Sequence, residues 1–141
     1  MKDKDIYVFS RKKLLDSYKE MNKDSCLISV SDIDKKNLNL NYFKNENYFK
    51  FNDIDFKNEK SINLSIGRKI YNLIISHNSF VINCEYGISR SAGIAMAIEC
   101  IKKYNSNIEE YILYKSGYIN NKKYKPNLFV FYTIMEASYD S

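Results

Sequence analysis

A cysteine and an arginine stand six positions apart in the stretch CEYGISRS, which covers residues 84–91. A thiolate is a strong nucleophile, and a guanidinium is a planar cation that can hold two oxygens of one anion. The residues between Cys84 and Arg90 are enough for a tight loop whose backbone N–H groups could surround an oxyanion. We therefore expect a site that binds a phosphate-like group and attacks it with sulfur.

The residues on either side of this stretch indicate the elements that hold it. Residues 80–83 (FVIN) have the composition of a short strand, and residues 90–104 are apolar nearly all round, as in a buried helix. A helix that begins at Arg90 directs its positive N-terminal dipole toward the loop. This field and the Arg90 charge favour the thiolate form of Cys84.

Two further residues of the stretch have a chemical reason for their positions. Gly87 is predicted to have a positive φ or to lie so close to another backbone segment that no side chain would fit. The hydroxyl of Ser91 is expected to hydrogen-bond the sulfur of Cys84, which would stabilise the thiolate when it leaves in a second step.

The rest of the chain alternates strands with helices and then continues with helices alone. This pattern predicts an α/β fold in three layers, with a short, mostly parallel central sheet flanked by helices, in one domain over residues 1–141. The expected strands are residues 5–9, 25–31, 48–52 and 80–83. The expected helices are 10–21 with Ser10 as N-cap, 61–77, 90–104, one from a Ser106–Glu109 capping box to about Gly117, and 128–137 after Pro126-Asn127.

Composition narrows the class of protein. The 141 residues include three cysteines without CxxC spacing and one histidine, His77, so we expect no disulfide framework, no metal site and no cofactor. The N-terminus does not read as a signal peptide, and no apolar run is long enough for a membrane span. We expect a monomer in the reducing cytoplasm that binds neither membrane nor nucleic acid, although its net charge of +5 suits an anionic ligand.

The string CEYGISRS resembles the signature of the protein tyrosine phosphatase superfamily, and its Gly, Ser, Arg and Ser placement is most similar to the dual-specificity branch. The resemblance implies hydrolysis of phosphotyrosine and phosphoserine or phosphothreonine in proteins through a cysteinyl-phosphate. It implies that Cys84 is the nucleophile, that Arg90 binds the phosphate and that Ser91 assists catalysis. The substrate-binding loop would then comprise Glu85, Tyr86, Gly87, Ile88, Ser89 and Arg90.

The resemblance also implies an aspartic acid that protonates the leaving oxygen, about thirty residues before the cysteine and just after a strand. Asp53 lies 31 positions before Cys84 and follows the predicted strand 48–52. We therefore expect Asp53 to be the general acid, with Asp55 as the alternative.

One residue departs from the family pattern. Most members have histidine immediately before the nucleophile, and this chain has Asn83, which can hydrogen-bond but cannot carry a charge. We expect a less stabilised thiolate than in the histidine-bearing members. Two alternatives to a protein phosphatase stay open: a phosphatase of an RNA 5′ phosphate or an inositol phosphate, and a protein that binds phosphate without turnover. The absence of lysine from the loop speaks against the first of these.

Overall fold

A four-stranded sheet forms the centre of the computed structural model, which describes residues 5–114 and 116–139. The strand order is β1-β4-β2-β3, and each neighbouring pair is parallel. The three-layer α/β prediction is therefore confirmed, and the described sheet is wholly rather than mostly parallel. The strands are β1 (Ile6–Ser10), β2 (Cys26–Ser31), β3 (Asn45–Lys50) and β4 (Phe80–Cys84).

The helices lie on both faces of this sheet. The larger apolar core joins one face to α2, α3 and α6, and Leu14 of α1 packs with Leu27 and Val81 on the other face. None of the helices within the described ranges is long and apolar enough to cross a membrane. The helices are α1 (Arg11–Ser17), α2 (Leu64–Ser76), α3 (Arg90–Lys103), α4 (Ile108–Tyr114), α5 (Gly117–Asn120) and α6 (Leu128–Tyr139).

Parallel pairing brings the carboxyl ends of the strands to one edge of the sheet. Ser10 at the end of β1 pairs with Cys84 at the end of β4, and Ser31 pairs with Lys50. In open parallel sheets, ligands bind in the crevice beyond these ends. The loops that follow β2, β3 and β4 therefore converge where the sequence places its candidate residues.

Helix α3 crosses α6 at short range directly behind this edge. A Cβ added at Gly93 would lie 2.6 Å from the carbonyl oxygen of Asn127 and 3.2 Å from the Cβ of Val130. Glycine is therefore needed at position 93 for this packing. The close approach also brings the first residues of α6 next to the start of α3.

Some predicted boundaries are wrong. Helix α1 ends at Ser17 and a short 3-10 turn follows it, while β3 begins at Asn45 rather than 48. Ser106 does not cap α4, because it has a φ of 63° and its N–H bonds the carbonyl of Cys100, which terminates α3. The cap is Asn107, whose side chain accepts from the N–H of Glu110, and Gly117 begins a further short helix instead of ending one.

Candidate active site

Cys84 is the last residue of β4 and is buried, with 2% of its surface exposed. Its sulfur lies 3.1 Å from the hydroxyl oxygen of Ser91 and accepts a hydrogen bond from the backbone N–H of Ser91 at 3.4 Å. The predicted contact between these two side chains is therefore present. Cys84 also lines a cavity of about 340 Å³, called the Cys84 cavity below, together with Arg90 and Asp53.

The other two cysteines have different surroundings. Burial raises the pKa of Cys26 to about 12, although a hydrogen bond from Asn47 lowers it in part. Burial also raises the pKa of Cys100 to about 11. Both are therefore thiols at neutral pH and poor nucleophiles. Within the described residues, no group of three or more His, Cys, Asp and Glu side chains could hold a metal ion.

The loop of residues 85–89, called the oxyanion loop below, is fixed through its carbonyl groups. The carbonyl of Glu85 accepts from the N–H of Arg11 at 3.0 Å, and that of Ile88 accepts from Lys125 at 3.1 Å. The carbonyl of Ser89 accepts from the N–H groups of Gly93 and Asn127, both at 3.0 Å. These bonds use carbonyl groups of the loop and none of its N–H groups, as expected of a loop whose N–H groups bind an oxyanion.

Gly87 has a φ of 68°, in the left-handed region that favours glycine. A Cβ at this position would lie 2.6 Å from both the carbonyl carbon of Phe9 and the backbone nitrogen of Ser10. The backbone of the oxyanion loop thus packs directly on the end of β1. Both reasons predicted for a glycine here, the positive φ and the close approach, are present.

Arg90 is the first residue of α3, and only 5% of its side chain is exposed. Its Nη1 donates to Oδ1 of Asp32 at 2.8 Å and to the carbonyl of Phe51 at 2.7 Å. Its Nε is buried and has no hydrogen-bond partner among the described residues. One corner of the guanidinium is thus held by the protein, while a buried donor is left for a ligand.

The carboxylate of Asp53 is held from two directions. Its Oδ1 accepts from the hydroxyl of Ser89 at 2.8 Å and from the side-chain amide of Asn127 at 2.9 Å. Both bonds use the same oxygen, so neither of these partners occupies Oδ2. Asp53 lines the Cys84 cavity, whereas the alternative residue, Asp55, lines the cavity beside it.

The mouth of the Cys84 cavity carries exposed side chains. Tyr86 is 76% exposed and Ile88 is 38% exposed, and both line the cavity with Lys125. The carboxylate of Glu85 points elsewhere and pairs with Lys35 at 3.5 Å. Of the predicted loop residues, Tyr86, Ile88, Ser89 and Arg90 thus line the cavity. Glu85 and Gly87 are not among its lining residues: Glu85 pairs with Lys35, and Gly87 packs on the backbone at the end of β1.

The fold recurs in solved structures. The PTP-2 phosphatase of Cydia pomonella matches with a TM-score of 0.63 and 16% identity, over 95% of this chain and 86% of that chain. Human DUSP28 matches with a TM-score of 0.55 and 9% identity, over 97% and 93% of the two chains. This chain has a dual-specificity phosphatase-like fold.

A third similar structure is the human tyrosine phosphatase-like serine/threonine/tyrosine-interacting protein, with a TM-score of 0.56, 16% identity and coverage of 94% and 87%. No protein-family model matches the sequence, and no curated protein matches it. The likeness at these identities concerns the fold, so the roles of individual residues rest on the geometry of this site.

Asn83, the departure from the family pattern, precedes Cys84 in β4 and is buried. Its side-chain amide lies 3.5 Å from the carbonyl oxygen of Cys84, and its Oδ1 is buried without a partner among the described residues. A neutral amide thus occupies the position next to the nucleophile. The expectation of a less stabilised thiolate stays a prediction.

The site includes three residues that sequence reasoning did not assign to it: Asp32, Lys125 and Asn127. Asp32 directly follows β2, and the carboxyl end of a strand in a parallel sheet is where ligand-binding residues lie, so the sequence could have indicated that Asp32 is near the site. Asn127 was expected only as the start of the last helix, and its side chain does cap α6 by accepting from the N–H of Val130. Its side-chain amide also donates to Asp53 and to the carbonyl of Ile54, 74 and 73 residues away, and these bonds have no local sequence signal.

Proposed function

We propose that this chain is a protein phosphatase that hydrolyses phosphotyrosine and phosphoserine or phosphothreonine monoesters through a cysteinyl-phosphate. The observation that carries the proposal is the Cys84 cavity itself. A cysteine sulfur, a guanidinium with a buried unpartnered Nε, and a carboxyl group with one free oxygen line the same space. The phosphatase-like fold supports the same conclusion.

In the first step, the thiolate of Cys84 attacks phosphorus and the bond from phosphorus to the ester oxygen breaks. The N–H groups of the oxyanion loop and the guanidinium of Arg90 stabilise the charge on the three equatorial oxygens. Asp53 gives its Oδ2 proton to the departing oxygen, so the alcohol or phenol leaves neutral. The product on the enzyme is the phosphorylated Cys84.

In the second step, water attacks the phosphorus of the intermediate while Asp53, now ionised, takes a proton from it. The sulfur–phosphorus bond breaks, and inorganic phosphate leaves. The hydroxyl of Ser91, 3.1 Å from the sulfur, stabilises the thiolate that is released. Both the thiolate and the protonated carboxyl group are thereby regenerated.

The test is hydrolysis of para-nitrophenyl phosphate with EDTA present, followed by phosphopeptides. Cys84→Ser should abolish turnover, by at least about a thousandfold, because a hydroxyl is a far weaker nucleophile here than a thiolate. Cys26→Ser is the matched control, since that cysteine already bonds to Asn45 and Asn47 and lies away from the cavity. Turnover that survives Cys84→Ser, or that EDTA removes, contradicts the mechanism.

Binding of phosphate without turnover is the second candidate, and Asn83 is the observation that favours it. An amide beside Cys84 supplies no positive charge to stabilise the thiolate. If the wild-type protein binds vanadate but hydrolyses neither para-nitrophenyl phosphate nor the phosphopeptides, this second candidate is established. Asn83→His should then increase the fraction of thiolate, read as the absorbance of Cys84 near 240 nm against Cys84→Ser.

A further inference from the structure

A second cavity of about 440 Å³, called the Asp55 cavity below, adjoins the Cys84 cavity. The two share Asp53, Ser89 and Lys125 as lining residues. The Asp55 cavity is completed by Asp55 and by residues 126–129 at the start of α6. A molecule bound in the first cavity therefore reaches the second across these three shared residues.

The position of Asp53 decides which part of a substrate extends there. The proposed general acid must touch the ester oxygen, which connects the phosphoryl group to the rest of the substrate. Because Asp53 lies on the boundary between the two cavities, the chain that carries the phosphorylated residue leaves the Cys84 cavity at that boundary. The Asp55 cavity is then next to that chain.

The Asp55 cavity combines Lys125, which it shares with the Cys84 cavity, with two features of its own: the carboxylate of Asp55 and an apolar wall. Asp55 is exposed and has no cationic side chain within 4 Å among the described residues, whereas Oδ1 of Asp53 already accepts two hydrogen bonds. Pro126, Leu128 and Phe129 supply the wall, and Leu128 is 41% exposed. An aliphatic stem that ends in a cation matches both features.

We propose that the Asp55 cavity binds an arginine or lysine side chain that neighbours the phosphorylated residue of a protein substrate. The inference rests on the proposed function and deepens it. The phosphoryl dianion would lie near Arg90 and offset the charge of Lys125, while the neighbouring cation would pair with Asp55. An RNA 5′ end or an inositol polyphosphate would instead bring negative charge to Asp55.

The experiment uses phosphopeptides that differ in one side chain. Each peptide carries one phosphorylated residue and, at a single position from two before to two after it, either arginine or its uncharged isostere citrulline. Wild-type protein should show a kcat/KM about fivefold higher for arginine at one of these positions, the size expected of a partly exposed ion pair. The ratio should fall as salt is added, because the pair is screened.

Variants of Asp55 assign the preference to this side chain. Asp55→Asn should bring the arginine-to-citrulline ratio to about one, and Asp55→Lys should invert it and favour glutamate at the same position. Each ratio is measured on one enzyme, so a general loss of turnover cancels. Glu136→Gln, which removes one exposed charge further along α6, should keep the wild-type ratio.

The outcomes separate this inference from the proposed function. Turnover with an arginine-to-citrulline ratio near one at every position, or a ratio that Asp55→Asn leaves unchanged, overturns the inference alone. Absence of turnover overturns the proposed function, and the same ratio is then read from the dissociation constants of the peptides. Faster hydrolysis of a 5′-phosphorylated oligonucleotide than of any peptide overturns the inference and identifies a nucleic-acid substrate.

Discussion

The two sides of the Cys84 cavity are built in different ways. The side that carries Cys84 and Arg90 is one continuous segment, buried at both ends and at Gly87, and its backbone is bonded to the surrounding elements β1, α1 and α6. The other side consists of Asp53, which lines the cavity, and of Asp32, which lies behind it and bonds to Arg90; the two follow different strands. Their side-chain hydrogen bonds to the first side join Asp53 to Ser89 and Asp32 to Arg90, across 36 and 58 residues of the chain.

This difference indicates a division of tasks between the two sides. In the proposed mechanism, the continuous segment sets the position of the oxyanion. Because backbone groups define that position, we expect it to tolerate few substitutions. In the proposed mechanism, Asp32 orients the arginine and Asp53 supplies the proton, and each is held by one or two side-chain contacts that a substitution can remove singly. We therefore expect loss of the whole site from changes on the first side, and graded, separable losses from changes on the second.

Gly87→Ala should have the largest effect, because the new Cβ would lie 2.6 Å from the backbone of β1 at a φ of 68°. We expect about 3 kcal/mol of lost stability and loss of both vanadate binding and turnover. Urea unfolding and para-nitrophenyl phosphate hydrolysis measure these effects. Gly117→Ala is the control, since a Cβ there has no atom within 4 Å. Normal vanadate affinity in Gly87→Ala would show that the loop can move away from β1.

The sequence predicted the first side of the cavity almost completely and the second side only in part. A strand, a tight loop with a required glycine and a helix that begins at Arg90 are neighbours in the chain, so local rules and one motif position them. The partners of Arg90 and Asp53 come from distant segments. Asp32 and Asn127 could not be assigned to them without knowing that β2 lies beside β4 and that α6 packs on α3.

The same limit explains the misplaced cap of α4. Ser106 and Glu109 have capping-box spacing, but the end of α3 takes Ser106 into a left-handed conformation, and Asn107 caps instead. The motif is present in the sequence, but the backbone conformation at the end of α3 prevents Ser106 from capping α4. A motif thus predicts structure well where its neighbours in the chain are also its neighbours in space.

Asp32→Asn should weaken the site without unfolding it, because the amide loses the charge that holds Nη1 of Arg90 at 2.8 Å. We expect kcat/KM to fall by about 10- to 100-fold, the range for a hydrogen bond to a charged group, and vanadate affinity to fall with it. Asp34→Asn makes the same change of charge on an exposed residue two positions later and serves as the control. Equal losses in both variants would mean that net charge, and not the orientation of Arg90, is responsible.

Asn127→Ser should affect the loop of the acid and leave Arg90 in place. Serine can still cap α6, but it loses the amide that donates to Asp53 at 2.9 Å and to the carbonyl of Ile54 at 3.1 Å. We expect about tenfold slower hydrolysis of phenyl phosphate and only about twofold slower hydrolysis of para-nitrophenyl phosphate, whose leaving group needs little protonation. Asn63→Ser makes the same exchange at the cap of α2 and should change neither rate. Equal losses on both substrates would argue against a role for Asn127 in proton transfer.

The smallest effect is expected at Glu46, on the edge strand β3 that leads to Asp53. Its carboxylate accepts from the N–H groups of Asn41, Tyr42 and Phe43 and from the hydroxyl of Tyr48. Glu46→Gln should cost about 1 kcal/mol at neutral pH, because an amide cannot accept all four bonds. Hydrogen exchange should show the loss of protection in β3 and not in the oxyanion loop.

The free energy of unfolding that Glu46→Gln loses should depend on pH. Partial burial by itself raises the pKa of Glu46, but its hydrogen bonds outweigh burial and hold the pKa below the ordinary value of 4.5. The ionised form therefore contributes stability that is fully present above that value and is lost as pH falls through the lower folded pKa. The difference in unfolding free energy between wild type and Glu46→Gln should thus be constant from neutral pH to about pH 5 and shrink at lower pH. A difference that stays constant down to pH 3 would mean that the charge of Glu46 does not hold this edge of the sheet.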